Sequence, residues 1–167
     1  MIELSKLSSR YEVRRMCDAD ADDILNLCRQ NEQYYQYCGK EPSIELVLHD
    51  LHTAPPDISS SDKYYIGFYD SDTMVAVMDL IDGYPVREYA YIGFFMMNKS
   101  LQGRQIGSEI IRETCCYLKT AGFSAAELAI DKGNPQSTHF WKKNGFGVVK
   151  EVEQDGGTLL VAERTLI

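Results

Sequence analysis

No stretch of this 167-residue chain is apolar over the roughly 20 residues that a bilayer span requires. The opening residues, Met1-Ile2-Glu3-Leu4-Ser5-Lys6, carry no signal-peptide core. A cytoplasmic protein that makes no use of a membrane is expected. Cysteines number 5, an odd count, and no Cys-x-x-Cys occurs among Cys17, Cys28, Cys38, Cys115 and Cys116. Reduced thiols are expected rather than a disulfide framework. The 3 histidines, His49, His52 and His139, do not stand at zinc-ligand spacing from any cysteine, so no metal is called for. His49 and His52 could share a helical face as two ligands, but solvated surface explains them as well. Basic residues are also few. The 17 Lys and Arg against 25 Asp and Glu leave a formal charge of −8. That sign speaks against nucleic acid as a partner, because phosphate binding needs clustered cations. It suits a cationic small molecule, and equally a surface kept soluble by like charge.

The chain does have an apolar content of 44%, enough for a folded core. Its length suits one domain over residues 1–167. Tyr11-Glu12-Val13-Arg14-Arg15 reads as a first strand. Asp18 and Asp20 lead into a helix marked by Ile24, Leu25, Leu27 and Cys28. The polar, aromatic stretch from Asn31 to Tyr37 reads as exposed or cleft-lining rather than core. Pro42-Ser43 opens a second helix, with Leu46, Val47 and Leu51 on its apolar face. Residues 63–69, 74–81 and 89–97 then read as strands of an antiparallel meander, the last being the longest apolar-aromatic run. A helix from about Gly107 to Thr120 stops at Gly122. Ala126 to Ile130 is a short buried strand. Asn134-Pro135 starts another helix, with Asn as N-cap and Pro as the first helical residue. Residues 146–152 and 158–163 close as a hairpin around Asp155-Gly156-Gly157. The strand–helix–strand unit in the second half implies a parallel crossover. The expected class is therefore α/β (α+β): a mixed, mostly antiparallel sheet of about six to seven strands with helices on both faces.

One junction stands out. Met96-Met97-Asn98-Lys99-Ser100-Leu101-Gln102-Gly103-Arg104-Gln105-Ile106-Gly107-Ser108 carries a strand through a turn into a helix. Such a turn aims backbone N–H groups and the positive end of a helix dipole at one point, where a diphosphate fits. It has neither the Lys-Ser/Thr ending of a P-loop nor the glycine spacing of a dinucleotide fingerprint. An ordinary strand–helix connection reads the same residues without a ligand. The turn resembles the acetyl-CoA loop of the GNAT superfamily of N-acetyltransferases, Gln/Arg-x-x-Gly-x-Gly/Ala. Gln102 and Gly107 match its ends, and Gln105 stands where that family has its first Gly. A second segment, Asn134 to Phe146, resembles the family's Asn-x-x-Ala-x-x-x-Tyr-x-Lys/Arg-x-Gly-Phe. Asn134, Lys143, Gly145 and Phe146 match, Ser137 replaces Ala, and Trp141 replaces Tyr. The two motifs span Tyr91 to Phe146; the N-terminal half matches in element order alone.

The resemblance implies an acetyl-CoA-dependent N-acetyltransferase acting by direct attack in a ternary complex on a primary amine of a small molecule or peptide. A non-catalytic acyl-CoA-binding or regulatory module is the alternative. The implied cofactor-binding residues are Phe95, Met96 and Met97 along the strand, Gln102 to Ser108 (Gly103, Arg104, Gln105, Ile106 and Gly107 included) in the turn, and Asn134, Trp141 and Lys143. The central strand is expected to splay from the Ala126–Ile130 strand and open a slot. Asn134 serves equally as a plain helix cap, and Lys143 equally as a solvated cation. Gln105, unlike Gly, is expected to keep an ordinary negative φ.

The acceptor must lose a proton, because an amine with a pKa near ~10.4 is mostly ammonium at neutral pH. Candidate bases are Tyr91, Glu88 just before its strand, and Asp79, an acid in an otherwise apolar strand that must be paired or face a cavity; Glu32 and Tyr34 of the N-terminal stretch could also reach the cleft. A backbone N–H near Phe95 is the expected donor to the thioester oxygen. Indole N–H donates a hydrogen bond but cannot usefully protonate a thiolate, so Trp141 leaves the usual acid position empty. Partners are thus acetyl-CoA and a small amine, and both a monomer and a homodimer fit.

Overall fold

Runs rich in aromatic and β-branched residues become strands, as their preference for a pleated, half-buried surface dictates. The computed structural model describes residues 1–167. The strands are β1 (Glu12–Arg15), β2 (Lys63–Asp70), β3 (Thr73–Asp82), β4 (Tyr89–Met97), β5 (Ala125–Asp131), β6 (Gly147–Gln154) and β7 (Gly157–Thr165). They form one seven-stranded sheet in the order β1-β2-β3-β4-β5-β7-β6. All neighbours are antiparallel except β4 and β5, which are parallel. The helices are α1 (Ala21–Arg29), α2 (Glu32–Cys38), α3 (Ile44–His52), α4 (Ile106–Thr120) and α5 (Pro135–Lys143). The expected fold class holds, with the strand count at seven.

The sheet separates two apolar clusters. The larger has 27 buried residues, among them Ile66, Phe68, Ile110, Ile111, Leu118 and Trp141. The smaller has 13, among them Ile24 and Leu25 of α1 and Val47 and Leu51 of α3. Helices therefore cover both faces. Packing, not capping, holds α4. No side chain caps its N-terminus, an omission worth about 1 kcal/mol. Against that stand Ile110, Ile111 and Leu118, each 0% exposed, at about 1.5–3 kcal/mol apiece.

The stretch from Asn31 to Tyr37 is largely exposed or cleft-lining, as expected: Asn31 and Tyr34 border a cavity beside β4, and Glu32, Gln33 and Gln36 are exposed. It folds as α2, closed by Gly39 in the left-handed region at φ 69°, and Tyr35 departs from expectation by entering the core. Tyr35 is buried in the smaller cluster while its neighbour Tyr34 is only half-buried. Adjacent helical residues point some 100° apart, so one of two successive tyrosines enters the core and the other does not.

The sheet opens in its middle. β4 and β5 pair only from Tyr89↔Ala125 to Ile92↔Leu128. At the same level the β3–β4 register shifts: Asp79 faces Phe94 and Leu80 faces Ile92, leaving Gly93 as the extra residue of a bulge. A bulge bends and twists its strand. Beyond it, β4 has a neighbour on the β3 side alone.

Candidate active site

A cavity of ≈ 300 Å³ occupies the gap between the second half of β4 and the end of β5. The backbone groups of Gly93 to Met96 that point away from β3 meet no strand there. Met97 ends the open stretch, because its C=O accepts from Asn31 Nδ2 at 3.1 Å and from Gln102 Nε2 at 3.4 Å. Gln102 Nε2 also donates to Asn31 Oδ1 at 2.6 Å, which ties the start of the turn to the end of α1. The slot wall is aromatic. Phe95 stacks on Phe140 with ring centres 5.8 Å apart, and Trp141 meets Phe95 edge-on at 6.0 Å.

The turn into α4 departs from expectation at Gln105, whose φ is 65°, in the left-handed region. Gly103 also has positive φ, at 74°. The chain must reverse from the 3-10 turn Lys99–Leu101 into α4 within four residues, and the backbone conformation this requires overrides the side-chain penalty of ~1–2 kcal/mol. Gln105 Oε1 accepts from Lys143 Nζ at 2.7 Å, so α5 holds the turn by its far end. The N–H groups of Gly103 through Ser108 find no acceptor within the chain. Gly107 is needed for close approach: a Cβ there would stand 3.2 Å from the Phe140 ring and 3.4 Å from Met97.

Of the cofactor-binding residues expected from sequence, Phe95, Met96, Met97, Gln102, Gly103, Gln105, Gly107, Ser108, Asn134, Trp141 and Lys143 all border the cavity. Arg104 is exposed outside it, and Ile106 is buried in the core. Asn134 is 2% exposed and caps α5, its Oδ1 accepting from Ser137 N at 3.1 Å. Trp141 is 7% exposed; it belongs to the core and also faces the slot.

The three base candidates separate. Glu88 is exposed in the turn before β4, five residues from Gly93, or ~17 Å of extended strand. The structure does not bring it to the cavity. Tyr91 is half-buried and edge-on to Tyr84 at 5.2 Å; burial pushes its hydroxyl up to about 12. Asp79 lies against the bulge, with Oδ2 only 2.9 Å from where a Cβ on Gly93 would stand. Burial pushes its carboxyl up to about 6, against the pull of Lys63, whose Nζ is 2.6 Å from Oδ2. Asp131, bordering the cavity from the end of β5, is also raised, again by burial.

Sequence reasoning did not single out Lys63, Asn31 or Phe140 as site residues. Lys63 follows a polar loop and reads as surface, yet it is 4% exposed. Asn31 opens the stretch read as exposed or cleft-lining, and nothing in its neighbours points to the reach of its amide to Met97. Phe140, four residues from Gln136 on α5, had a signal in its helical spacing toward the slot, but spacing alone serves the core equally.

The family model described as Acetyltransferase (GNAT) family matches residues 24–146. Among solved structures, an acetyltransferase from Thermus thermophilus is similar with 22% identity and a TM-score of 0.75, covering 93% of this chain and 96% of that one. The PaiA N-acetyltransferase of Thermoplasma acidophilum, in complex with coenzyme A, has 18% identity and a TM-score of 0.65, covering 93% and 98%. A point mutant of the SpeG spermidine N-acetyltransferase from Vibrio cholerae has 16% identity and a TM-score of 0.66, covering 95% of each chain. At these identities the structures share the fold. No curated protein matches the sequence.

Proposed function

Because the chain belongs to the GNAT acetyltransferase family, we propose that it transfers an acetyl group from acetyl-CoA to a primary amine of a small molecule or peptide, by direct attack in a ternary complex. One observation carries this reading: the open edge of β4 runs into the uncapped N-terminus of α4, a strand-shaped slot ending in unclaimed amides. An amide-bearing pantetheine arm suits the slot as an added strand, and a diphosphate suits the amides. The residues fit such a cosubstrate on chemistry as well. Lys143 supplies a cation beside the turn, and Phe95 with Phe140 supplies an apolar wall. Acetyl-CoA brings the activated acyl group; the chain's work is to bind, orient and move protons.

In this reading Phe95, Met96 and Met97 present the strand edge. Gln102 to Ser108 contribute the turn: Gly103, Gln105, Ile106, Gly107 and Ser108 by their N–H groups, with Arg104 as an outer cation. Lys143 locks Gln105, and Asn134 and Trp141 shape the far wall. Tyr34 and Phe94, T-shaped at 5.8 Å, form an aromatic entrance suited to an aliphatic or cationic amine. Asp131 adds a carboxylate at that entrance. A polyamine is the first acceptor class to try. Asp79 is the favoured proton acceptor, ahead of Tyr91, whose pKa is too high for a base at neutral pH, and of Glu88, which is too far. The five free cysteines suit a reducing cytoplasm.

Titration calorimetry with CoA and acetyl-CoA, followed by thiol release with a panel of primary amines, tests the proposal. Binding plus thiol release with at least one amine is expected. Absence of binding by folded protein overturns it. Binding without release favours the non-catalytic module, the reading that Trp141 in place of a tyrosine acid supports.

A further inference from the structure

We infer that Lys63 is a positioning residue, holding the Asp79 carboxylate over Gly93 as the group that takes the proton from the acceptor ammonium. The inference rests on the acetyl-transfer reading above. Lys63 and Asp79 are 4% and 12% exposed at the side chain, and Nζ–Oδ2 is 2.6 Å. A buried ion pair is weak evidence of a stabilising role, since desolvation offsets much of the Coulomb gain unless every lone pair is satisfied. Here they are not: Asp79 Oδ1 is buried with no hydrogen-bond partner in the chain. A buried carboxylate oxygen left without a donor makes the pair poorly compensated, which speaks for a role other than stability.

The other oxygen, Oδ2, which Lys63 holds, gives the acceptor a place to approach: it lies 2.9 Å from where a Cβ on Gly93 would stand. Asp79 pairs across the sheet with Phe94, next to the bulge. Gly93 is exposed, borders the cavity and has no side chain between carboxylate and strand. The β4–β5 ladder ends one residue earlier, at Ile92. The carboxylate does not itself line the cavity; it lies against Gly93, the residue at which the slot begins. Groups facing it are Lys63 and Tyr65 from β2, Asp50 from α3 and Tyr91 from β4. Burial raises its affinity for a proton and Lys63 moderates the rise, leaving a value of about 6, so that it is ionised and still basic at neutral pH.

The acceptor ammonium gives one proton to Asp79, and the freed lone pair forms the C–N bond as the thioester C–S bond breaks. The second proton lost by nitrogen ends on the departing thiolate. Water then takes the first proton from Asp79.

The test measures thiol release from acetyl-CoA across pH 5–9, with spermidine, tyramine and an alanine-initiated peptide as acceptors. Wild-type kcat/KM is expected to rise with pH through about 6. Asp79→Asn is expected to lower it on the order of 100-fold or more and to flatten that limb, with CoA affinity by calorimetry unchanged. Lys63→Met is expected to move the limb about one unit higher, since the cation no longer favours the carboxylate. Lys63→Arg is expected to restore it. Carbon-13 titration of the Asp79 carboxyl, assigned by its absence from Asp79→Asn, gives the same reading on wild-type protein should Lys63→Met not fold. Titration in the ordinary carboxylate range, near ~4, or a pH profile that neither substitution moves, overturns the assignment while leaving acetyl transfer intact. A wild-type protein that binds CoA and releases no thiol with any acceptor overturns acetyl transfer and this inference with it.

Discussion

Two helices begin beside the same cavity and begin differently. α5 is closed at its start: Asn134 caps Ser137 N, and Pro135 has no N–H to leave open. α4 starts at Gln105 with positive φ, with no capping side chain and with a run of amides facing outward. Both helices are anchored by burial, so neither depends on its cap for survival. The difference shows which of two helix starts is built for a ligand. A terminus satisfied by its own side chains has no donors to spare, while one left unsatisfied beside a slot has several aimed at one place.

A charge placed at each start breaks or sharpens this contrast. Ser108→Asp puts a carboxylate in the first turn of α4. The helix dipole favours it by ~0.3–1 kcal/mol, so the free protein is expected to melt no lower than wild type. CoA affinity is expected to fall by about 30-fold, ~2 kcal/mol of repulsion at a partly screened site. Calorimetry beside thermal melts checks both signs at once. The matching Gln136→Asp in α5 is expected to weaken CoA by less than about threefold. Equal losses at both positions would erase the distinction.

A smaller effect is expected from Asn134→Ala. Losing the cap costs ~1 kcal/mol, or about 2–4 °C in Tm for a domain of this size. If capping is all that Asn134 does, CoA affinity stays within about twofold; a larger loss adds the pantetheine contact implied by family resemblance.

The smallest is expected from Gln105→Gly. It removes the ~1–2 kcal/mol cost of a side chain at positive φ and loses one exposed hydrogen bond from Lys143, worth ~0.5 kcal/mol. Glycine's greater freedom in the unfolded chain costs a further ~0.5–1 kcal/mol, so a net gain below ~1 kcal/mol in urea unfolding should result. A net loss would mean that the Lys143 link organises the turn.

Local chemistry was readable. The Asn-Pro helix start, the stop at Gly122, the strand Tyr89–Met97 and the junction after it all follow from neighbours in sequence. What escaped depends on contacts between distant residues. Lys63 and Asp79 are 16 apart and meet only through the β2–β3 register, where a slip of one residue would put them on opposite faces. Tyr35 enters the core only because α1 and α3 flank it with apolar residues. The positive φ of Gln105 is imposed by the geometry of reversal between β4 and α4, and the residue type argues against it. The Asn31–Gln102–Met97 contacts join the end of one helix to a turn far along the chain, since Gln102 and Asn31 are 71 apart.

The half-open central strand also makes the protein's rigidity conditional. With nothing laid along Gly93 to Met96, those amides should exchange with deuterium far faster than the doubly flanked Tyr89 to Ile92, although both stretches belong to one strand. A thioester seated there would slow them and add free energy of unfolding with its concentration, about 2.7 kcal/mol at a hundredfold excess over Kd. Resistance to proteolysis would then rise and fall with the surrounding supply of acyl donor.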